Sequence, residues 1–600
     1  MALNWIDWSI VVLFMALSLG IGLAVSRRAG RGSAEFFLSG REMPWWLLGT
    51  SMVATTFSAG TPNFVTDLVR QHGVAGNWVW WAFLLTGMTT VFIYARLWRR
   101  SGVMTDIEFY ELRYSGKPAA FLRGFRALYL GLVFNIVVMG SATLAVIKVA
   151  GAMLGTNPLE TVVVAGGVTV IFSMMGGLSA VLWTDFLMFA VAMGGSIAAA
   201  VYVLNLDGVG GLSGLLAHAA VQPKLSMFPD WHDPETLLPV FIIPLVVQWW
   251  SVWYPGSEPG GGGYIAQRML AAKNETHATG ATLLFNIAHY ALRPWPWILV
   301  ALVSLVVFPD LESLQAAFPK MASGVVKHDL AYPAMLTLLP NGLQGLVLAS
   351  LMAAFMSTLS THLNWGSSYV VNDFYTRFVR PEASQREQVF VGRLSTLVIM
   401  VAGSALGLWL SNALQAFQII LQIGAGTGLL FILRWFWWRI NSFSEIAAMI
   451  VSFVVAIGLE VWGPASLPPW QKMTIGVGLT TACWLAVTFA TRPTDEAKLR
   501  SFYRAIRPGG PGWRAVLERA AAEGVPLEQP GQPWNVPLGI LCSVIGCVAV
   551  YAALLATGYW IYWQTVPATV LTAVAAIASF LMMKTWSRAN GGPADNRAES

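Results

Sequence analysis

Apolar runs of about 20 residues, separated by short polar or basic stretches, follow one another along almost the whole chain. Each is long enough to cross a bilayer as a helix rising about 1.5 Å per residue. The pattern predicts about fifteen spans, at 7–26, 44–66, 75–97, 124–154, 158–174, 178–205, 236–255, 277–308, 341–376, 389–411, 413–435, 443–463, 470–490, 535–557 and 562–583. The expected fold class is an all-α polytopic membrane protein.

Two spans are interrupted. The second, WWLLGTSMVATTFSAGTPNFVTDLV, carries Thr, Ser, Gly and Pro in mid-span, and the seventh, PLVVQWWSVWYPGSEPGGGGYIAQR, dissolves into Pro and Gly. Unwound backbone at membrane depth is tolerated where it is buried in protein or lines a cavity, and there it offers carbonyls to cations and amides to substrate. A packing kink explains either interruption alone. Their separation by five spans predicts the two broken helices that open the halves of a five-plus-five inverted repeat, the layout of a secondary transporter.

Composition and charge sharpen this picture. Of 600 residues 56% are hydrophobic and only 11% charged, and the mean hydropathy is +0.61, which excludes an ordinary soluble enzyme and makes one membrane domain the expectation. The net charge of +6 is no nucleic-acid footprint, because the basic residues fall in alternate loops. One side receives Arg27, Arg28, Arg31 and Arg41, then Arg99, Arg100, Arg113, Lys117 and Arg123, then Arg268 and Lys273. It also receives Arg377, Arg380, Arg386 and the Arg/Lys-rich segment 491–534, while the other side holds little beyond Lys224, Lys320 and Lys327. The first span has basic residues after it and none before it, so it reads as an uncleaved helix with the N-terminus outside and the C-terminus cytoplasmic. Cys483, Cys542 and Cys547 lie in predicted spans as small apolar fillers and imply no disulfide framework.

The richest chemistry lies in LMAAFMSTLSTHLNWGSSYVVNDFY, residues 351–375, which carries many hydroxyls and no charge before Asp373. At 3.6 residues per turn Ala354, Ser357 and Thr358 share a face, so two hydroxyl oxygens and a loosened carbonyl can converge on a small hard cation such as sodium. The competing reading is that these hydroxyls bond to their own helix. Asp185, in GGLSAVLWTDF, places a costly carboxylate inside a span, where it is either functional or an interfacial acid reaching water. Arg293, in NIAHYALRPWPWILV, can meet a substrate carboxylate or an internal acid such as Glu258, with His289 one turn away on the same side. His362 reads as a hydrogen-bonded packing residue before a proton relay. Trp249, Trp250, Trp253 and Tyr254 suit stacking on a sugar ring, a gate, or interfacial anchoring. The glycines at 260–263 lack the Lys-Ser/Thr of a phosphate loop, and the histidines lack zinc spacing, so no enzyme is expected.

Four blocks, FFLSGREMPWWLLGTSMVATTFSAG, MMGGLSAVLWTDFLMF, YIAQRMLAAK and LMAAFMSTLSTHLNWGSSYVVNDFY, occur in an order that resembles the sodium/solute symporter family, relatives of the sodium/glucose and sodium/proline symporters. The resemblance implies a LeuT-like fold with one extra N-terminal helix and about four extra C-terminal ones. It further implies a sodium site on the carbonyls of Ala54, Phe57 and Ala354 and the hydroxyls of Ser357 and Thr358, with Asp185 on the sodium exit or holding a second ion. The segment RPTDEAKLRSFYRAIRPGGPGW resembles a cytoplasmic segment of sugar-transporting members. The expected division is 1–43 for the extra helix and loop, 44–205 and 206–435 for the repeats, 436–583 for the C-terminal helices, and 584–600 for the tail.

The substrate region departs from the sugar-transporting pattern. Where such members have an amide or carboxylate, this chain has Ser58, Ala59, Gly60, Thr61 and Pro62, and the next helix reads GNWVWWAF, with Trp78, Trp80 and Trp81. The candidate pocket is therefore Ser58, Thr61, Trp78, Trp81, Trp249, Trp250, Trp253, Tyr254, His289 and Arg293. The expected activity is sodium-coupled import of a small organic solute, sugar-like or carboxylate- or amino-acid-like, by a monomeric unit in the lipid bilayer. The alternatives are proton coupling through Asp185, and a non-transporting sensor, which the short tail 584–600 argues against.

Overall fold

The computed structural model describes residues 3–29, 32–58, 60–251, 259–319, 326–410, 424, 426–464, 466–528 and 534–590. The described residues are overwhelmingly helical, and their only bridge is an isolated one between Met43 and Ala272. Eleven helices among them are long and apolar enough to cross a membrane. Those used below are α1 (Trp5–Ala29), α2 (Trp45–Thr56), α3 (Thr61–His72), α4 (Val74–Ser101), α5 (Gly116–Gly151), α6 (Gly167–Leu204), α7 (Pro234–Val246), α8 (Gly263–Ala271), α9 (Glu275–Val307) and α10 (Leu343–Ser368). The chain continues through α11 (Gln385–Trp409), α12 (Ser442–Val461), α13 (Pro469–Ala490), α14 (Glu496–Ile506), α15 (Arg514–Ala522), α16 (Val536–Ile561) and α17 (Thr565–Asn590).

The other four expected spans are each accounted for. Span 44–66 divides into α2 and α3, and span 236–255 ends as a regular helix with α7. Span 158–174 runs on into α6 through Gly177, whose φ of 54° and ψ of −156° turn the chain sharply. A side chain there would strain that backbone and bring its Cβ within 2.6 Å of the Phe36 carbonyl. Span 413–435 lies largely outside the described residues.

The first break has a local cause. Phe57 leaves the helix at φ −88° and ψ 78°, the Ser58 amide donates to Thr61 Oγ1 (3.3 Å), and the Gly60 amide donates to Ser58 Oγ (3.1 Å). Short polar side chains thus satisfy the backbone that the helix releases, and Pro62 restarts α3 where an amide hydrogen is not needed. α2 packs against α6, α9 and α10, while α6 lies along both α1 and α10, so the break is enclosed by protein. The second break resumes at Gly260, Gly261 and Gly263, with φ of 85°, 76° and 53°. Only glycine adopts such backbone freely, which explains the glycine run without any phosphate chemistry.

One end of the molecule is polar and cross-linked. Arg123 binds both Asp373 and Glu111 at 2.8 Å, Arg377 reaches Glu111 at 2.8 Å, and Arg100 joins Glu275 at 2.9 Å. Burial disfavours ionised Glu111, but Arg377 and Arg123 outweigh it and hold its carboxyl below the ordinary value. Arg100 also donates to the Ile506 carbonyl at 2.9 Å, tying α4 to α14. An aromatic column runs from there into the fold. Trp98 donates to the Gly260 carbonyl (2.7 Å) and packs on Trp435 (4.9 Å), Trp513 donates to the Trp435 carbonyl (2.9 Å), and Phe502 stacks on Trp513 (5.5 Å). Cys542 and Cys547 are buried and unoxidised, and Cys483 is half-buried.

Candidate ion and substrate site

The broken end of α2 meets the middle of α10. Thr358 Oγ1 donates to the Thr55 carbonyl at 3.0 Å, and Thr55 and Thr361 share a hydroxyl contact of 3.0 Å. Ser357 Oγ donates to Asp185 Oδ1 at 2.7 Å, so two expected site residues from distant parts of the sequence are in direct contact. A hydroxyl has one proton and two lone pairs. With the protons of Ser357 and Thr358 directed at Asp185 and Thr55, their lone pairs remain for a cation, and these hydroxyls do not bond back to their own helix. The Ala54 carbonyl accepts from the Phe57 amide at 3.0 Å, while the Phe57 carbonyl lies beyond the last helical turn. Ala354, Ser357 and Thr358 are all buried.

Asp185 is fully buried, so it is not an interfacial acid reaching water. Ser51 Oγ donates to Asp185 Oδ2 at 2.5 Å, and the Arg268 guanidinium lies 3.8 Å from the same oxygen. Arg268 corrects an expectation. It was assigned to a loop, yet it is 0% exposed on α8, donating to Ser51 Oγ (3.1 Å), Thr361 Oγ1 (2.8 Å) and Gln267 Oε1 (3.0 Å). The restart of a helix immediately after the glycines places it one and a half turns in, facing α2 and α10.

On the other flank of α2, Arg293 and His289 come together. Arg293 Nη1 donates to Thr56 Oγ1 (3.0 Å) and approaches the Val53 carbonyl (3.4 Å), and Nη2 lies 3.2 Å from His289 Nε2. Arginine cannot accept, so His289 accepts at Nε2 and carries its proton on Nδ1, 3.0 Å from Thr56 Oγ1. Trp80 faces His289 (5.7 Å) and stacks on Tyr290 (5.9 Å). Trp78 points elsewhere, donating to the Met227 carbonyl (2.9 Å) and packing on Phe241 and on Tyr551 of α16. Trp81 packs on both neighbours, Trp78 and Trp80. Ser58 and Thr61 hold the break itself. Trp249 and Trp250 pack edge to face at 5.5 Å, and the Trp249 carbonyl accepts from Thr86. Trp253, Tyr254 and Glu258 lie outside the described residues. His362 Nδ1 is 2.7 Å from Asn135 Oδ1, joining α10 to α5.

A model of the sodium:solute symporter family matches residues 36–452, a stretch that includes both breaks and the hydroxyl helix. The chain belongs to this family. It is 26% identical over 512 residues to a sodium/glucose cotransporter of Vibrio parahaemolyticus, covering 82% of this chain and 92% of that one. It is 28% identical over 489 residues to sodium/myo-inositol cotransporter 2 of Mus musculus, covering 75% and 69%. Among solved structures, a Na+-coupled sialic acid symporter matches with a TM-score of 0.64 at 20% identity, over 82% of this chain and 99% of that one. The fold is therefore the all-helical, LeuT-like one. As a sodium:solute symporter the chain is a multi-pass membrane transporter, not an enzyme, and sodium is its coupling ion.

Proposed function

We propose that this symporter binds sodium between the broken end of α2 and the middle of α10, through the carbonyls of Ala54, Phe57 and Ala354 and the hydroxyls of Ser357 and Thr358. The observation that supports the reading is that both hydroxyls donate away from their own helix, to Asp185 and to the Thr55 carbonyl, which leaves each oxygen with lone pairs free to accept a cation. Five neutral oxygens suit a monovalent ion, and divalent sites usually recruit carboxylates. Asp185 stands one hydroxyl away and supplies negative charge on the ion's route or holds a second ion. Solute binds on the opposite flank of α2, against Ser58, Thr61, Trp80, His289 and Arg293. A site made by two elements that move apart binds sodium more tightly in one state, and that difference is what coupling requires.

The repeats are assigned to 44–205 and 206–435, flanked by 1–43, 436–583 and the tail 584–600. The transport unit is a monomer with its N-terminus outside. Replacing Ser357 and Thr358 together by Ala raises the sodium concentration for half-maximal uptake about tenfold or more, corresponding to about 1.4 kcal/mol per decade, at little cost in folded protein. Unchanged sodium dependence removes the site. For orientation, an engineered cysteine at Ser501 resists an impermeant thiol reagent in intact cells and reacts after lysis; labelling of intact cells inverts the topology.

A further inference from the structure

Asp7, in the first turn of α1, is 0% exposed and lies before the stretch that the family model matches. Its two carboxylate oxygens serve two helices. Oδ2 accepts from the Asn4 amide (3.1 Å), and Asn4 Oδ1 accepts in return from the amides of Ile6 and Asp7 (2.9 Å each), which caps α1. Oδ1 crosses to α10 and accepts from the amides of Gly342 (2.7 Å) and Gly345 (2.8 Å). A helix begins with amides that have no partner in their own helix, and Gly342, the residue before α10, has no side chain to supply one. The cap of the helix that bears Ser357 and Thr358 thus comes from a residue 335 positions before Gly342. The two backbones also approach closely there, since a Cβ on Gly345 would stand 2.5 Å from Asp7 Cα.

We propose that Asp7 is a positioning residue for the sodium site, setting the height of α10 against α6. The inference rests on the sodium-site reading above and deepens it. α1 lies along both α6 and α10, and α6 and α10 lie along each other. Val11 and Phe14, one and two turns beyond Asp7, join the same buried cluster as Val347, Leu348 and Leu351. Polar contacts then follow one another down α10: Gly342 and Gly345 on Asp7, Ser350 Oγ donating to the Ala192 carbonyl (3.3 Å), and Ser357 Oγ donating to Asp185 (2.7 Å). The step from Ser350 to Ser357 runs forward along α10, and that from Ala192 to Asp185 runs back along α6 by the same two turns or so, so the two helices are antiparallel in fixed register. Gly345 and Ser357 are about 18 Å apart along the helix at 1.5 Å per residue, and a slip at the cap arrives undiminished at the oxygens. A binding constellation tolerates displacements of only about 0.5 Å, and the carbonyl of Ala354 and the hydroxyls of Ser357 and Thr358 all ride on α10. The negative charge of Asp7 is also favoured at the positive end of the α10 dipole. α1 therefore does more than add a span beside the matched fold: its carboxylate fixes where the sodium helix begins.

The test is equilibrium binding of radioactive sodium to the purified full-length protein without solute, beside thermal unfolding of the same samples. Asp7→Ala is expected to bind sodium about fivefold or more weakly per folded molecule, below the loss typical of residues that touch a metal ligand directly. Gly345→Ala keeps the carboxylate but drives α1 away from α10, and is expected to weaken sodium in the same direction. Asn4→Ala removes the cap of α1 and no bond to α10, so it lowers the unfolding midpoint and leaves sodium affinity as in the wild type. A merely structural Asp7 predicts lower midpoints with unchanged sodium affinity in all three. The inference is overturned if folded Asp7→Ala binds sodium like the wild type, or if Asn4→Ala weakens sodium as much as Asp7→Ala does. Should Asp7→Ala fail to fold, wild-type affinity in Gly345→Ala overturns it. Replacing Ser357 and Thr358 together by Ala reports on the ion site itself. Loss of sodium there beside wild-type affinity in Asp7→Ala rejects the positioning role alone, whereas wild-type affinity in the double variant rejects the ion site.

Discussion

Two buried arginines flank the same short helix and are held in different ways. Arg268 reaches α2 from α8 and sits among Asp185, Ser51, Thr361 and Gln267, where a carboxylate lies 3.8 Å away. Arg293 reaches α2 from α9 and meets a hydroxyl, a carbonyl and an imidazole. The flank facing α10 carries an arginine beside a carboxylate, and on the flank facing α4 a guanidinium meets a hydroxyl and a carbonyl. The comparison teaches that the two flanks of one helix break differ because each is furnished by a different neighbour, α8 and α10 on one side and α9 and α4 on the other.

The sharpest way to break the comparison is to remove the balanced arginine. Arg268→Met leaves Asp185 buried beside no described cation, and breaking such a pair from one side costs about 3–5 kcal/mol. A large fall in the unfolding midpoint is expected, with a substantial part restored by adding Asp185→Asn; a double variant no more stable than Arg268→Met would deny the pairing. Next in size is Asp185→Asn alone. It keeps the shape, removes the charge, and is expected to slow uptake and shift its sodium dependence when normalised to folded protein, whereas wild-type behaviour takes Asp185 out of the mechanism. The smallest effect belongs to His289→Gln, which can still accept from Arg293 and costs about 0.5–1.5 kcal/mol as one altered hydrogen bond. Its unfolding midpoint in the absence of solute should move little, and a collapse as deep as that of Arg268→Met would erase the distinction between the flanks.

Much of this was legible in the chain. The polar cluster at 55–62 marked the first break because Ser and Thr side chains can satisfy released backbone, and the glycines at 260–263 marked the second because only glycine adopts positive φ freely. The contact of Ser357 with Asp185 could not be read, since 172 residues separate them and periodicity speaks only within a helix. Arg268 was missed because a charged residue after a glycine run looks like a loop. The signal available was its setting, with Gln267 beside it and apolar residues one turn away on either side. The choice of Trp80 over Trp78 and Trp81 as the ring facing His289 was also hidden. The chain enters α4 through a tighter 3-10 turn at Val74–Asn77 and turns again before Leu84, so the helical phase is reset twice within a few residues. Asn135, the partner of His362, had only its isolated polarity to announce it.

The aromatic column beside the second break links that break to the segment 496–522. Gly260, Trp98, Trp435, Trp513 and Phe502 are connected in series, from the restart of α8 to the α14 layer. A conformer that draws the α8 break away from α4 must either carry α14 and α15 along or give up ring contacts worth about 0.5–1.5 kcal/mol each. The segment 496–522 is thereby tied to the restart of α8 through side chains alone, so a pair of short helices far along the chain shares in whatever displaces that glycine run.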